Sequence, residues 1–220
     1  MKKVLVIAVH PDDETLGCGG TLLRHKAEGD QIYWLIITRN SGQYSSERNE
    51  HRNRMVKKAV ELYQFDEVFE AEFPTTELDT ISVNALVEKI NNVYNKVQPN
   101  IIYMNYVHDV HSDHKVVFDA AYTCTRSFRK PYIERMYMIE ALSETEFAPS
   151  IPGTSFCPNV FVDITPYIDK KLEIMSLYDT EIMQEPYPRS LSSIKALARV
   201  RGSRAGVMYA EAFQLLYEKR

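Results

Sequence analysis

Two short stretches of this 220-residue chain concentrate the side chains that can hold a metal ion or move a proton. The first is His10-Pro11-Asp12-Asp13-Glu14, one imidazole and three carboxylates with a rigid proline among them. The second is His108-Asp109-Val110-His111-Ser112-Asp113-His114, three imidazoles and two carboxylates within seven residues. Together they offer what a catalytic zinc requires, three protein ligands with one coordination position left for water. Taken alone, Asp12 or Asp13 would read as a helix N-cap, and a lone His-x-x-His reads as surface or packing. Capping, however, needs one carboxylate and no imidazole. A second metal chemistry stays open on these residues: His10, Asp12 and a distant His114 also spell the facial triad of a non-haem iron(II) oxygenase. That pattern belongs chiefly to all-β barrels and leaves Asp13 unexplained.

Each cluster follows an apolar run that must position it. Val4 to Val9 is short, uncharged and β-branched-rich, and reads as a buried strand. Gly17-Cys18-Gly19-Gly20 reads as a tight turn into a helix that starts at Thr21. Further strands are expected at 31–38, 68–73, 101–104 and 135–142. Helices are expected at 47–63, 83–97 and 115–126, the second having the clearest i, i+3, i+4, i+7 rhythm. This alternation predicts an α/β fold, a Rossmann-like and mostly parallel sheet with helices on both faces. In such sheets, sites form beyond the carboxyl ends of strands, so the two clusters face one another if their strands are neighbours. After residue 143 the pattern loosens. Pro149, Pro152 and Pro158 break 148–158 into loop, a strand is expected at 160–164, and helices around 167–177, 191–200 and 210–219. With no internal repeat or low-complexity linker, the expectation is one domain, residues 1–220, with a C-terminal extension packed on it.

Composition excludes several classes. A net charge of −4 offers no basic face for nucleic acid, and the basic stretch from Arg48 to Lys58 alternates with glutamates as a solvated helix face does. Three widely spaced cysteines indicate neither a disulfide framework nor a cysteine zinc knot. The basic Met1-Lys2-Lys3 precedes an apolar run of only six residues without a small-residue cleavage site. No segment approaches the ~20 apolar residues of a membrane span. The expected location is the cytoplasm; a homo-oligomer is compatible with all of this.

At these residues the chain resembles the PIG-L/LmbE family of zinc-dependent N-deacetylases. The first signature appears as Val9-His10-Pro11-Asp12-Asp13-Glu14 followed by Gly17, Gly19 and Gly20, and the second as His111-Ser112-Asp113-His114. Later blocks are Ser143-Glu144-Thr145-Glu146, Phe156-x-Pro158-Asn159, Pro188-Arg189-Ser190 and the run from Arg201 to Phe213. The resemblance implies that His10, Asp13 and His114 ligate zinc, with iron(II) able to occupy the same set. It implies Asp12 as general base, and a protonated His111 stabilising the tetrahedral intermediate, with Asp113 paired to it. The implied substrate is an N-acetylated amino sugar, an N-acetylglucosamine conjugate, with Arg52 (or Arg48) as a candidate contact; Glu14 either contacts a sugar hydroxyl or braces the loop. Some members have a tyrosine five positions before the last zinc histidine; here that position is Asp109, and Tyr106 is the nearest substitute. Arg189 either meets an anionic substrate group or pairs with an acidic neighbour.

Overall fold

The structure, a computed structural model, describes residues 1–39 and 45–220. Among these residues seven strands form one sheet in the order β3-β2-β1-β4-β5-β7-β6. Strands β1 (Lys3–Ala8), β2 (Gln31–Arg39), β3 (Glu67–Pro74), β4 (Ile101–Met104) and β5 (Arg135–Met138) run parallel. Strand β7 (Ala210–Glu218) is antiparallel to both its neighbours, β5 and β6 (Val160–Asp163). The mostly parallel α/β sheet expected from the alternation is therefore present.

Period-two alternation on β1 divides the interior. Val4, Val6 and Ala8 enter one apolar layer with α1 (Asp13–Ala27), α2 (Ser46–Tyr63), α5 (Ile168–Met175) and α6 (Leu191–Ala205). Leu5, Ile7 and Val9 enter the other, with α3 (Val83–Val97) and α4 (Ser112–Thr123). A strand buried on both faces must be apolar at every position, which is why β1 reads as a continuous hydrophobic run. The chain passes from β1 outward to β2 and β3, then returns across β1 to β4. The switch point thus lies between β1 and β4, and both ionisable clusters leave the sheet there.

Two expectations change. The Gly17–Gly20 cluster is not a turn before a helix: α1 begins at Asp13 and runs through it, with a break at Cys18 (φ −143°, ψ 21°). The glycines let the helix press against its neighbours. A Cβ on Gly17 would lie 2.5–2.8 Å from Ile139, and one on Gly20 would lie 2.7–2.9 Å from Ile164. Backbone groups near the break bond a buried ion pair instead. The Gly20 and Thr21 N–H groups donate to Glu211 (2.8 and 2.7 Å), while Lys171 Nζ donates to the Leu16 carbonyl (2.9 Å) and to Glu211 (2.7 Å). The second change is at 210–218, a strand rather than a helix. Its sequence AEAFQLLYE suits either period, and pairing on both edges decides.

Candidate active site

Strand β1 delivers residues 9–14 to the switch point. The Val9 carbonyl accepts from both the N–H (3.0 Å) and the hydroxyl (2.8 Å) of Thr38, which ties this loop to the end of β2. Asp12 then takes φ 146°, ψ −28°, a positive φ that side-chain-bearing residues rarely adopt. Its N–H donates to Glu14 Oε2 (3.1 Å), and Glu14 Oε1 accepts from the hydroxyls of Thr15 (2.6 Å) and Tyr178 (2.7 Å). Glu14 is fully buried, and burial pushes its carboxyl up to about 7 despite these bonds. Of the two roles open to it, a sugar contact or a brace for the loop, the geometry favours the brace: Glu14 sits behind the loop and does not line the pocket.

The second cluster sits at the start of α4, which begins at Ser112 rather than at the expected Lys115. His111 is its N-cap: Nδ1 accepts from the Asp113 N–H (3.1 Å). An accepting Nδ1 carries no proton, so the neutral ring carries its proton on Nε2. Burial, with the His10 and His114 rings beside it, lowers His111 to about 4, which outweighs Asp113. The expected pairing of His111 with the Asp113 carboxylate is not present: His111 Nδ1 accepts the Asp113 N–H, while the carboxylate faces His10. Asp113 turns its carboxylate to His10 Nε2 (3.4 Å) and to the N–H groups of Thr76 (2.7 Å) and Leu78 (3.3 Å). Burial raises Asp113, yet the His10 contact and the Thr76 N–H hold it below its ordinary value.

Three ligand atoms converge between the clusters. His114 Nε2 lies 3.4 Å from His10 Nδ1 and 3.5 Å from Asp13 Oδ2, and Asp13 Oδ2 also accepts from the His10 N–H (2.9 Å). The far nitrogen of each ring has a carboxylate behind it. Asp113 stands behind His10, and Asp109 behind His114 Nδ1 at 2.8 Å, with Thr145 donating its hydroxyl to Asp109 (2.7 Å). This carboxylate–histidine arrangement fixes the tautomer and aim of metal-ligating imidazoles. Burial opposes charge on both partners, but Asp13 and Asp109 still push His114 up to about 9, while His114 and His10 hold Asp13 below its ordinary value. A proton and a divalent cation thus compete for one spot. The donor set His10, Asp13 and His114 fits a metal ion. The alternative set with His111 and Asp113 fits less well, since backbone amides already take both Asp113 oxygens.

Asp12, the carboxylate required by the iron-oxygenase reading, stands outside the trio. Its Oδ2 lies 3.2 Å from Arg189 Nη1, and that reading has no support in the geometry. Burial, then the neighbouring Asp13 and Glu181, raise the Asp12 carboxyl well above its ordinary value, against the pull of Arg189. Asp12, Asp13, His10, His111 and His114 line a cavity of about 210 Å³ whose other walls include Arg48, Arg52, Glu144 and Arg189. Arg52 borders it with its guanidinium engaged, donating to the Thr38 carbonyl (2.8 Å) and to Glu70 (3.1 Å). Tyr106 is buried edge-on against His108 and Phe156 and lies away from this cavity. Sequence reasoning assigned no role to Asp109, Thr145 or Glu181. Asp109 was within reach, as a carboxylate in the same loop as His114, and Thr145 stood in the block Ser143-Glu144-Thr145-Glu146; nothing local marks Glu181.

The family profile described as "PIG-L: GlcNAc-PI de-N-acetylase" matches residues 5–125, more than half of the chain. The diacetylchitobiose deacetylase of Thermococcus kodakarensis is 25% identical over 98% of this chain and 84% of its own length. A probable N-acetyl-alpha-D-glucosaminyl L-malate deacetylase 2 of Bacillus cereus is 28% identical over 84% of this chain and 86% of its own. Among solved structures, the conserved protein TT1542 from Thermus thermophilus superposes with a TM-score of 0.80 at 27% identity, covering 100% of this chain and 97% of that one. Among the described residues no helix is long and apolar enough to cross a membrane. With both signatures converging at the switch point of the sheet and the profile spanning them, the chain belongs to the PIG-L family.

Proposed function

We propose that the protein is a zinc-dependent N-deacetylase that hydrolyses the acetamide of an N-acetylglucosamine conjugate to free amine and acetate. The observation that carries this reading is the convergence of His10 Nδ1, Asp13 Oδ2 and His114 Nε2, with Asp12 on the wall of the same cavity. The family description and the names of both relatives share the N-acetylglucosamine unit, which supports this substrate class.

His10, Asp13 and His114 would hold zinc, which when bound would supply the Lewis acidity that makes water nucleophilic near neutral pH; iron(II) suits the same donors. Asp12 takes the proton of the attacking water and later returns it to the departing nitrogen, which leaves poorly without one. Its raised pKa suits both halves of that task. His111 donates its Nε2–H to the carbonyl oxygen as negative charge gathers there. Asp113 and Asp109 keep the two ligand rings aimed. Arg52, with Arg48, shapes the α2 wall that meets the rest of the substrate. Residues 1–220 act as one catalytic domain, because β7 joins the C-terminal segment to the same sheet. Three unpaired cysteines, two of them buried, fit a reducing compartment and support a cytoplasmic enzyme.

The test is anaerobic acetate release from a series of N-acetylglucosamine conjugates by the zinc-loaded protein. Asp12→Ala is expected to retain zinc and lose about 10²-fold or more in kcat. A wild-type protein that releases no acetate from any conjugate, or an Asp12→Ala variant at full rate, sinks the reading.

A further inference from the structure

The segment after residue 125, beyond the profile match, reaches back to the loop that carries the site. Tyr178 bonds Glu14, Lys171 and Glu211 hold the break in α1, and Arg189 meets Asp12. The last of these contacts falls on the residue whose backbone is strained. A non-glycine at φ 146° costs on the order of 1–3 kcal/mol and persists only when its surroundings over-determine it. Here the Thr15 and Leu16 N–H groups hold the Asp12 carbonyl (2.9 and 2.8 Å), Glu14 holds its N–H, and Arg189 holds its carboxylate, the one restraint that acts on the side chain from outside the loop and α1.

We propose that Arg189 is a positioning residue that aims the Asp12 carboxylate into the cavity, and that Glu181 aims Arg189. Arg189 Nη1 lies 3.2 Å from Asp12 Oδ2 and 3.1 Å from Glu181 Oε2. Its Nε is buried without a hydrogen-bond partner, so the two carboxylates on Nη1 fix the guanidinium. The backbone beneath is anchored. The Arg189 carbonyl accepts from the Met183 N–H (3.3 Å), and the next residue, Ser190, caps α6 by accepting from the Ser193 N–H (3.1 Å). With Oδ2 held by arginine, proton transfer falls to Oδ1, so Arg189 selects the working oxygen of the base. Arg189 needs no contact with substrate for this, and its loss acts on kcat rather than on KM.

This inference rests on the deacetylase reading, and the experiment separates the two. Acetate release, zinc content, thermal stability and amide hydrogen exchange of residues 11–16 are measured for wild type, Arg189→Met, Arg189→Lys and Arg189→Ala. Misplacing a reacting group by about 1 Å costs about 10²-fold. Arg189→Met is expected to lose about that much in kcat with KM within about threefold, zinc content and melting temperature unchanged, and faster exchange at 11–16. Arg189→Lys is expected to keep about a tenth of kcat, and added guanidinium to raise the kcat of Arg189→Ala about tenfold. A kcat at the wild-type level in Arg189→Met overturns the proposal, as does a change confined to KM. Lost activity with a lowered melting temperature and no guanidinium rescue also overturns it. If the wild type itself releases no acetate, the deacetylase reading fails. Hydrogen exchange then judges the positioning role alone, and unchanged exchange in Arg189→Met rejects it.

Discussion

Asp12 and Asp13 are joined by one peptide bond, yet burial raises the first carboxyl while His114 and His10 hold the second below its ordinary value. The backbone twist at Asp12 separates their surroundings, and the opposite fates suit a proton carrier beside a metal ligand. Glu14, one residue on, gives a measurable consequence. Its buried carboxyl is raised to about 7, so it stays protonated in the folded protein over a range where the unfolded chain ionises it. The stability it lends is full below about pH 4.5 and is lost as pH rises toward 7, an upper bound of about 3 kcal/mol in the metal-free protein. Urea unfolding of wild type and Glu14→Gln in chelator, at about pH 4.5 and about pH 7.5, is expected to show the wild type losing ground to the variant as pH rises. At this scale the sequence was legible for the gathering of His10, Asp13 and His114, which sit in compact motifs that the fold brings together. It was not legible for the direction of Asp113 or the charge of His111. Those depend on the Thr76 and Leu78 amides and on rings that arrive from another strand.

Helix α1 shows how an element can be read correctly in outline and wrongly in function. Three glycines in four residues carry the ordinary signature of a turn. Here Gly17 and Gly20 relieve contacts with Ile139 and Ile164, which are 122 and 144 positions away in the chain and invisible to local reasoning. Gly20→Ala is expected to cost about 1–3 kcal/mol, read as a lower urea midpoint, because Ile164 is fully buried and must shift. The amphipathic helix α3 was legible from its period alone, because it buries one stripe against the sheet. Strand β7 was not: its composition leaves the period undecided, and only the unpaired edges of β5 and β6 settle it.

For the whole molecule, the metal would join the loop after β1 to the first turn of α4, two segments about a hundred residues apart in sequence. A ligand that binds only the folded protein stabilises it by mass action. Free zinc at about a hundred times its dissociation constant is expected to add about 2.7 kcal/mol, seen as a raised melting temperature that chelator reverses. An unchanged melting temperature, with zinc shown to be bound, would mean that the unfolded chain binds it equally well. The strand order carries a further consequence, for the sequence of events in folding. Strand β6 pairs only with β7, and β7 comes about fifty residues later in the chain. Until β7 slots in, β6 has no neighbour and one edge of β5 stands open, while Gly20 and Thr21 lack the Glu211 carboxylate that β7 brings. The parallel half of the sheet can assemble first, but the break in α1 acquires its buried carboxylate only when the last strand docks. The helix that follows the site loop is thereby secured last, at the completion of the fold.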